Sequence, residues 1–160
     1  MQIVKLITTI NAPLAECFDL SRNIDLHIQS MMKSNEKAVA GKISGLIDLG
    51  EFVTWEAKHF YLKFKLTSKI TQMEIPIRFV DEMINGPFKK MKHEHIFYQK
   101  GVVVEMIDIF QFESPLGILG IIFDKLFLRN YMRNLLIGRN KIIKQMAEAI
   151  KSPDSESGLL

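Results

Sequence analysis

Phe52-Val-Thr-Trp-Glu-Ala-Lys-His59 alternates residue by residue, with Val53, Trp55, Ala57 and His59 on one side and Thr54, Glu56 and Lys58 on the other. The next segment, Leu62-Lys-Phe-Lys-Leu-Thr-Ser-Lys-Ile70, repeats the pattern, setting Leu62, Phe64, Leu66, Ser68 and Ile70 against Lys63, Lys65, Thr67 and Lys69. Successive side chains of an extended strand point to opposite faces, so this period of two predicts antiparallel strands with one packed and one wet face. The same regime holds across residues 34–114, punctuated by Gly41, Gly45, Gly50 and the Asn85-Gly86 pair as turns. Further strands are expected over residues 77–83, 88–97 and 102–113, the last two joined through Gln99-Lys100-Gly101.

Working outward, residues 2–10 read as another strand. Asn11-Ala-Pro13 opens a short helix over residues 14–20, because Asn can cap free N–H groups and Pro is tolerated in a first helical turn. Asn23 caps a second short helix over residues 24–28. Beyond Ser114-Pro115 the period returns to 3.6 and predicts one long helix from about residue 118 to 150. Leu119, Ile122, Phe123, Leu126, Tyr131, Leu135, Ile142, Met146 and Ile150 form its apolar stripe; Arg129, Arg133, Arg139, Lys141 and Lys144 are assigned to its wet side. At 1.5 Å per residue this helix is about 50 Å long, and it must lie across the sheet to hide its stripe.

The chain's 160 residues suffice for one domain with a substantial core, expected over residues 1–151 and followed by a Ser-, Pro- and acid-rich flexible tail at 152–160. A net charge of +3 is too small to mark a dedicated nucleic-acid binder, and none is expected. Lone Cys17 excludes an intramolecular disulfide framework and a multi-cysteine zinc site; it falls on the packed side of its helix and should be inert. The start reads as a strand, not a signal peptide, and the apolar run after Pro115 ends at Asp124-Lys125, short of a membrane span; a soluble cytoplasmic protein is the expectation. The lysine row Lys63, Lys65 and Lys69 serves solubility first; contact of this row and Phe60-Tyr61 with an anionic membrane is the lesser reading.

The order strand, two small helices, antiparallel strands and one long terminal helix is specific. With the segments Ile10-Asn-Ala-Pro-Leu-Ala-Glu-Cys-Phe18, Gly50-Glu-Phe-Val-Thr-Trp55 and Asp108-Ile-Phe-Gln-Phe-Glu-Ser-Pro-Leu-Gly-Ile-Leu-Gly120, it resembles the START-like helix-grip superfamily, also called SRPBCC. The resemblance covers about residues 2–150 and is nearest to bacterial stand-alone members of ligand-binding or polyketide cyclase-like type. It implies an α+β helix-grip fold, a curved antiparallel sheet wrapped around the C-terminal helix with an apolar cavity between. One fold hosts many activities, so function must be argued from the site.

The candidate chemistry lies on Phe88-Lys-Lys-Met-Lys-His-Glu-His-Ile-Phe97, where Met91, His93, His95 and Phe97 share a face. A two-residue turn at Asn85-Gly86 would set this face against Arg78 and Val80; a tight connection at Gln99-Lys100 would bring Asp108 near Met91 and His93. Three roles stand open for His93 and Asp108. They could transfer protons at a carbonyl, as in a cyclase or dehydratase. They could orient a mostly apolar ligand by hydrogen bonding. Or they could satisfy each other within the sheet wall. His93 and His95 are also a pair of imidazoles at metal-ligand spacing, but a third ligand would have to be Asp108 or His59; only the pair is visible, so neither metal nor cofactor is assigned. His27 reads as a surface or cavity-mouth residue. Eleven Phe and nine Met supply an adaptable apolar lining. The expected partner is a hydrophobic or amphipathic small molecule, lipid-like or aromatic, lined by Trp55, His59, Met91, His93, Asp108, Phe110, Phe123 and Tyr131.

Overall fold

The computed structural model describes residues 1–32, 35–59, 61–115 and 117–151, so the expected tail at 152–160 lies outside the described residues, as does Phe60. Strand β1 (Gln2–Ile10) leads into helices α1 (Leu14–Ser21) and α2 (Ile24–Ser30). Strands β2 (Lys37–Gly41), β3 (Phe52–His59), β4 (Leu62–Glu74), β5 (Arg78–Asn85), β6 (Lys90–Lys100) and β7 (Val103–Glu113) follow. The chain closes on helix α3 (Gly117–Phe123), a π-helical turn (Asp124–Leu128) and helix α4 (Arg129–Lys151). The strands form one curved sheet in the order β1-β7-β6-β5-β4-β3-β2, every neighbouring pair antiparallel. Consecutive hairpins account for all but one pairing; β1 completes the sheet beside β7.

The alternation in the sequence has its structural counterpart in burial. Val53, Trp55 and Ala57 of β3 are buried between more exposed neighbours, and every second residue of β7 from Val104 to Phe112 is buried. The packed face meets α1, α2 and α4 around Ile10, Phe18, Phe97, Met106 and Ile143, each almost wholly buried. The Phe18 ring meets Phe79 and Phe97 edge-on at 5.5 Å between centroids, a favoured aromatic geometry that adds to the 2–3 kcal/mol or so from burying each ring. Asn23 caps α2 as expected, its side-chain oxygen accepting from Leu26 N–H at 3.0 Å. Asn11 does not cap α1; its backbone N–H donates to Glu148 Oε1 at 2.9 Å and ties the end of β1 to α4.

Three expectations are corrected. The terminal helix is not one continuous α-helix, because the π-helical turn over Asp124–Leu128 separates α3 from α4; one such turn changes the face that all later residues present. The buried stripe of α4 is Leu136, Arg139, Asn140, Ile143 and Ala147, while Met146 and Ile150 are exposed. Arg139 therefore belongs to the packed side, only 4% exposed. Finally, β5 and β6 are joined by residues 86–89, four residues where a two-residue turn was expected. The pairing becomes Phe79 with His95 and Asp81 with His93, and Arg78 pairs with Ile96. This offset of three residues from the expected register, being odd, exchanges the two faces of β5 relative to β6.

Candidate functional site

Between the sheet and the C-terminal helices lies a chamber of about 780 Å³. Its wall is mostly apolar and includes Trp55, Met91, Phe110, Phe123 and Tyr131, together with Phe64, Leu66, Leu136 and Met132. Phe123 and Phe127 also line it and are respectively 42% and 62% exposed, so they stand where the chamber meets solvent. Their rings pack at 5.9 Å between centroids.

One part of this wall is polar. Alternation along β6 sends His93 and His95 inward, and the register places Asp81 of β5 beside them, all three facing the chamber. Asp108, directly opposite His95 on β7, lies behind the two imidazoles and is fully buried. His93 Nε2 donates to Asp108 Oδ1 at 2.9 Å. His95 Nδ1 is also 2.9 Å from Asp108 Oδ1, out of line for a hydrogen bond, while His95 Nε2 is 3.3 Å from Asp81 Oδ1. The other oxygen of Asp108 accepts from Asn140 Nδ2 at 2.6 Å. Arg139 Nη1 lies 3.5 Å from Asp108 Oδ1, and Arg139 Nη2 donates to the Ser21 carbonyl at 2.8 Å. A carboxylate on β7 is here enclosed by two imidazoles from β6 and an amide and a guanidinium from α4.

Burial sets the protonation of this group. It pushes His93 down to about 4; neighbouring His95 adds to that, and the bond to Asp108 opposes it, so the imidazole is neutral at neutral pH. Burial works against the charge of Asp108, but the hydrogen bond from His93 and the approach of His95 outweigh it and hold the carboxyl well below its ordinary range. Asp81 shows the same balance, burial raising it and His95, His93 and Arg139 lowering it further.

A second polar pair closes the far side of the chamber wall. His59 Nδ1 meets the Tyr131 hydroxyl at 2.7 Å, linking the end of β3 to α4. Desolvation lowers His59 and raises Tyr131. His27 sits on the chamber wall as well, its ring 4.3 Å from that of Trp55 and its Nε2 2.9 Å from Glu36 Oε1. Cys17 is fully buried, and burial first, then Glu16, pushes its thiol up to about 11.

Of the residues singled out from the sequence, Trp55, His59, Met91, His93, Phe110, Phe123 and Tyr131 stand on the chamber wall; Asp108 does not, and reaches it only through the imidazoles. Asp108 lies beside His93 and His95, with Phe112 opposite Met91. Asp81, Arg139 and Asn140 were missed. The spacing of 136, 139, 140, 143 and 147 is itself a helical stripe, but its two polar members hide it from a hydropathy reading.

No protein-family model matches the chain, and no curated protein matches it. Solved structures do. TTHA0849 from Thermus thermophilus superposes with a TM-score of 0.76 at 16% identity, covering 94% of this chain and all of that one. A START superfamily protein from Mycobacterium smegmatis gives 0.69 at 11% identity, covering 92% of this chain and 98% of that one. Ginseng major latex-like protein 151 from Panax ginseng gives 0.63 at 14%, covering 91% and 97%. At these identities the likeness is one of fold. With two short helices after β1, a curved seven-stranded antiparallel sheet and a C-terminal helix packed into its concave face, the chain has the helix-grip fold of START and Bet v 1-like proteins.

Proposed function

We propose that this protein binds a hydrophobic or amphipathic small molecule, lipid-like or aromatic, in the chamber between sheet and α4. The observation that carries this is the chamber itself: about 780 Å³ enclosed by a mostly apolar wall with a few polar groups, Asp81, His93 and His95 among them. Small-molecule pockets are typically about 300–1,000 Å³, apolar, with a few polar groups that fix orientation. A guest would place its apolar body against Trp55, Phe64 and Phe110 and a polar end at Asp81, His93 and His95. Native mass spectrometry of freshly purified protein, followed by displacement of an environment-sensitive fluorescent apolar probe, tests it. The expected result is a bound apolar species, or saturable probe binding that Ala57→Trp abolishes without loss of fold, because Ala57 is on the chamber wall. Protein that carries no apolar species and binds no probe overturns the reading.

The 2.9 Å bond between His93 and Asp108 favours a second reading, an enzyme of cyclase or dehydratase type. Only His93 of the pair faces the chamber, so it would exchange the proton with a guest and Asp108 would be a positioning residue. On this reading His93→Gln and Asp108→Asn abolish turnover of an aromatic polyketide substrate with folding intact; turnover that survives both excludes it.

A further inference from the structure

His95 is caught between two carboxylates, with Nδ1 2.9 Å from Asp108 and Nε2 3.3 Å from Asp81. A neutral imidazole has one N–H and one lone pair, and an ionised carboxylate can only accept. With the proton on Nε2 the ring serves Asp81 and leaves Nδ1 beside Asp108 without a hydrogen-bond partner; with the proton on Nδ1 the Nε2 lone pair is turned on Asp81. His93 adds to the conflict. Its Nε2 proton is committed to Asp108, so its Nδ1 lone pair is turned toward Asp81 Oδ1, 3.9 Å away. With the His95 proton on the Asp108 side, three lone-pair donors converge: His93 Nδ1, His95 Nε2 and a carboxylate oxygen of Asp81. One donor atom from each of these residues lies within 4.8 Å of the others.

Charge points the same way. Asp81 and Asp108 bring two negative charges and Arg139 one positive. Two carboxylates thus face one guanidinium, and a cation between the three donors balances them.

We propose that Asp81, His93 and His95 form a binding site for a divalent first-row transition metal ion of the zinc or iron(II) class. Two imidazoles and one carboxylate on one side of an ion, with the remaining positions open, is a donor set that suits these metals, and no thiolate is required. Ligands of one such ion lie about 2.0–2.2 Å from it, so the donors need to draw together by roughly an ångström, which rotation of the two rings and the Asp81 carboxylate supplies. Asp108 is then the outer partner that accepts from the far nitrogen of His93, and a rotation of the His95 ring brings its Nδ1, 2.9 Å away, into line for a second bond; such a partner fixes tautomer and ring plane. All three ligands face the chamber, so the open positions accept water or an oxygen donor of a guest, such as a carboxylate or enolate. The site stands on these contacts alone and does not require that the chamber hold an organic ligand.

The test is a Zn2+ titration of chelator-stripped, full-length protein, followed by calorimetry, thermal unfolding and imidazole 15N resonances. Expected are one ion per chain, a rise in Tm, and shifts of the His93 and His95 resonances with those of His27 and His59 unmoved. Asp81→Asn weakens binding by at least about a hundredfold, the upper range for losing even an outer partner. Co2+ in place of Zn2+ gives d–d bands without thiolate charge transfer. Failure to bind Zn2+ saturably, equal affinity in Asp81→Asn, or shifts confined to His27 or His59 overturns the proposal. If Asp81→Asn does not fold, the wild-type resonances decide alone: His93 and His95 signals that stay unmoved at saturating Zn2+ overturn the proposal.

Discussion

Replacing Arg139 by Met tests the buried polar wall where it departs most from a hydropathy reading. The side chain is only 5% exposed, its Nη1 lies 3.5 Å from Asp108 and its Nη2 donates to the Ser21 carbonyl at 2.8 Å. Met preserves length and apolar packing but removes charge and donors. The hydrogen bond from a charged group to Ser21 is worth about 1.5–3 kcal/mol. Removing one partner of a buried ion pair costs about 3–5 kcal/mol in all, because the remaining charge stays buried. Asp108 keeps the bonds from His93 and Asn140, so the lower part of that range applies, and a loss of about 3–4 kcal/mol is expected. A domain of this kind has roughly 5–15 kcal/mol in total, so the variant should fold and show an earlier urea midpoint with an unchanged m-value. Arg133→Met, at an exposed position of the same helix, should change stability by no more than about 0.5 kcal/mol. Arg139→Lys keeps the charge without the fork that reaches both partners, and should fall between wild type and Met. A loss below about 1 kcal/mol for Arg139→Met, the value of a surface ion pair, would refute the buried placement and the charge balance built on it.

Two further outcomes follow from buried titratable groups. His93 falls from 6.5 to about 4 in the folded chain; between those values the unfolded chain binds a proton that the folded one does not, so stability rises with pH across that window. In chelator-containing buffer, wild type should lose about 3 kcal/mol on acidification from pH 6.5 to 4; His93→Gln should lose markedly less, retaining the same-signed contribution of His59, whose value is also lowered. The Cys17 thiol, fully buried and pushed up to about 11, should resist a water-soluble disulfide reagent at pH 8 and react once urea unfolds the chain.

The fold was legible because it rests on periodicities the chain displays locally. Alternation along residues 52–59 and 62–70 marks β3 and β4 within one or two residues at most ends, and the return to period 3.6 marks the C-terminal helical arm. Register was less accessible, because it depends on the number of residues a turn consumes. At residues 86–89 the connection takes four residues, and the resulting pairing brings Asp81 opposite His93. The connection between β6 and β7 is tight, but it falls at Gly101-Val102 and not at the expected Gln99-Lys100, so its pairing sets Asp108 against His95 and leaves Phe112, not Asp108, opposite Met91. A reader of the sequence could see His93, His95 and Asp108, but not the second carboxylate that completes the group.

Arg139 and Asn140 were hidden for a different reason. A reading that sorts a helix by hydropathy sends both outward, since buried arginine and asparagine are uncommon. Their partners, Asp108 for both, the Ser21 carbonyl for Arg139 and the Thr8 hydroxyl for Asn140, lie more than thirty positions away and are invisible to any local window. The dependence runs both ways. Without Asn140, Arg139 and the imidazoles, a carboxylate with no exposure at all would not stay ionised. Without Asp108, Asn140 would lose its shortest hydrogen bond and Arg139 its buried counter-charge. One carboxylate on β7 thus joins the inward face of α4 to His93 and to the polar part of the chamber wall. The seat of α4 and the chemistry of the chamber are therefore coupled, and a substitution at Asp108 should move both together.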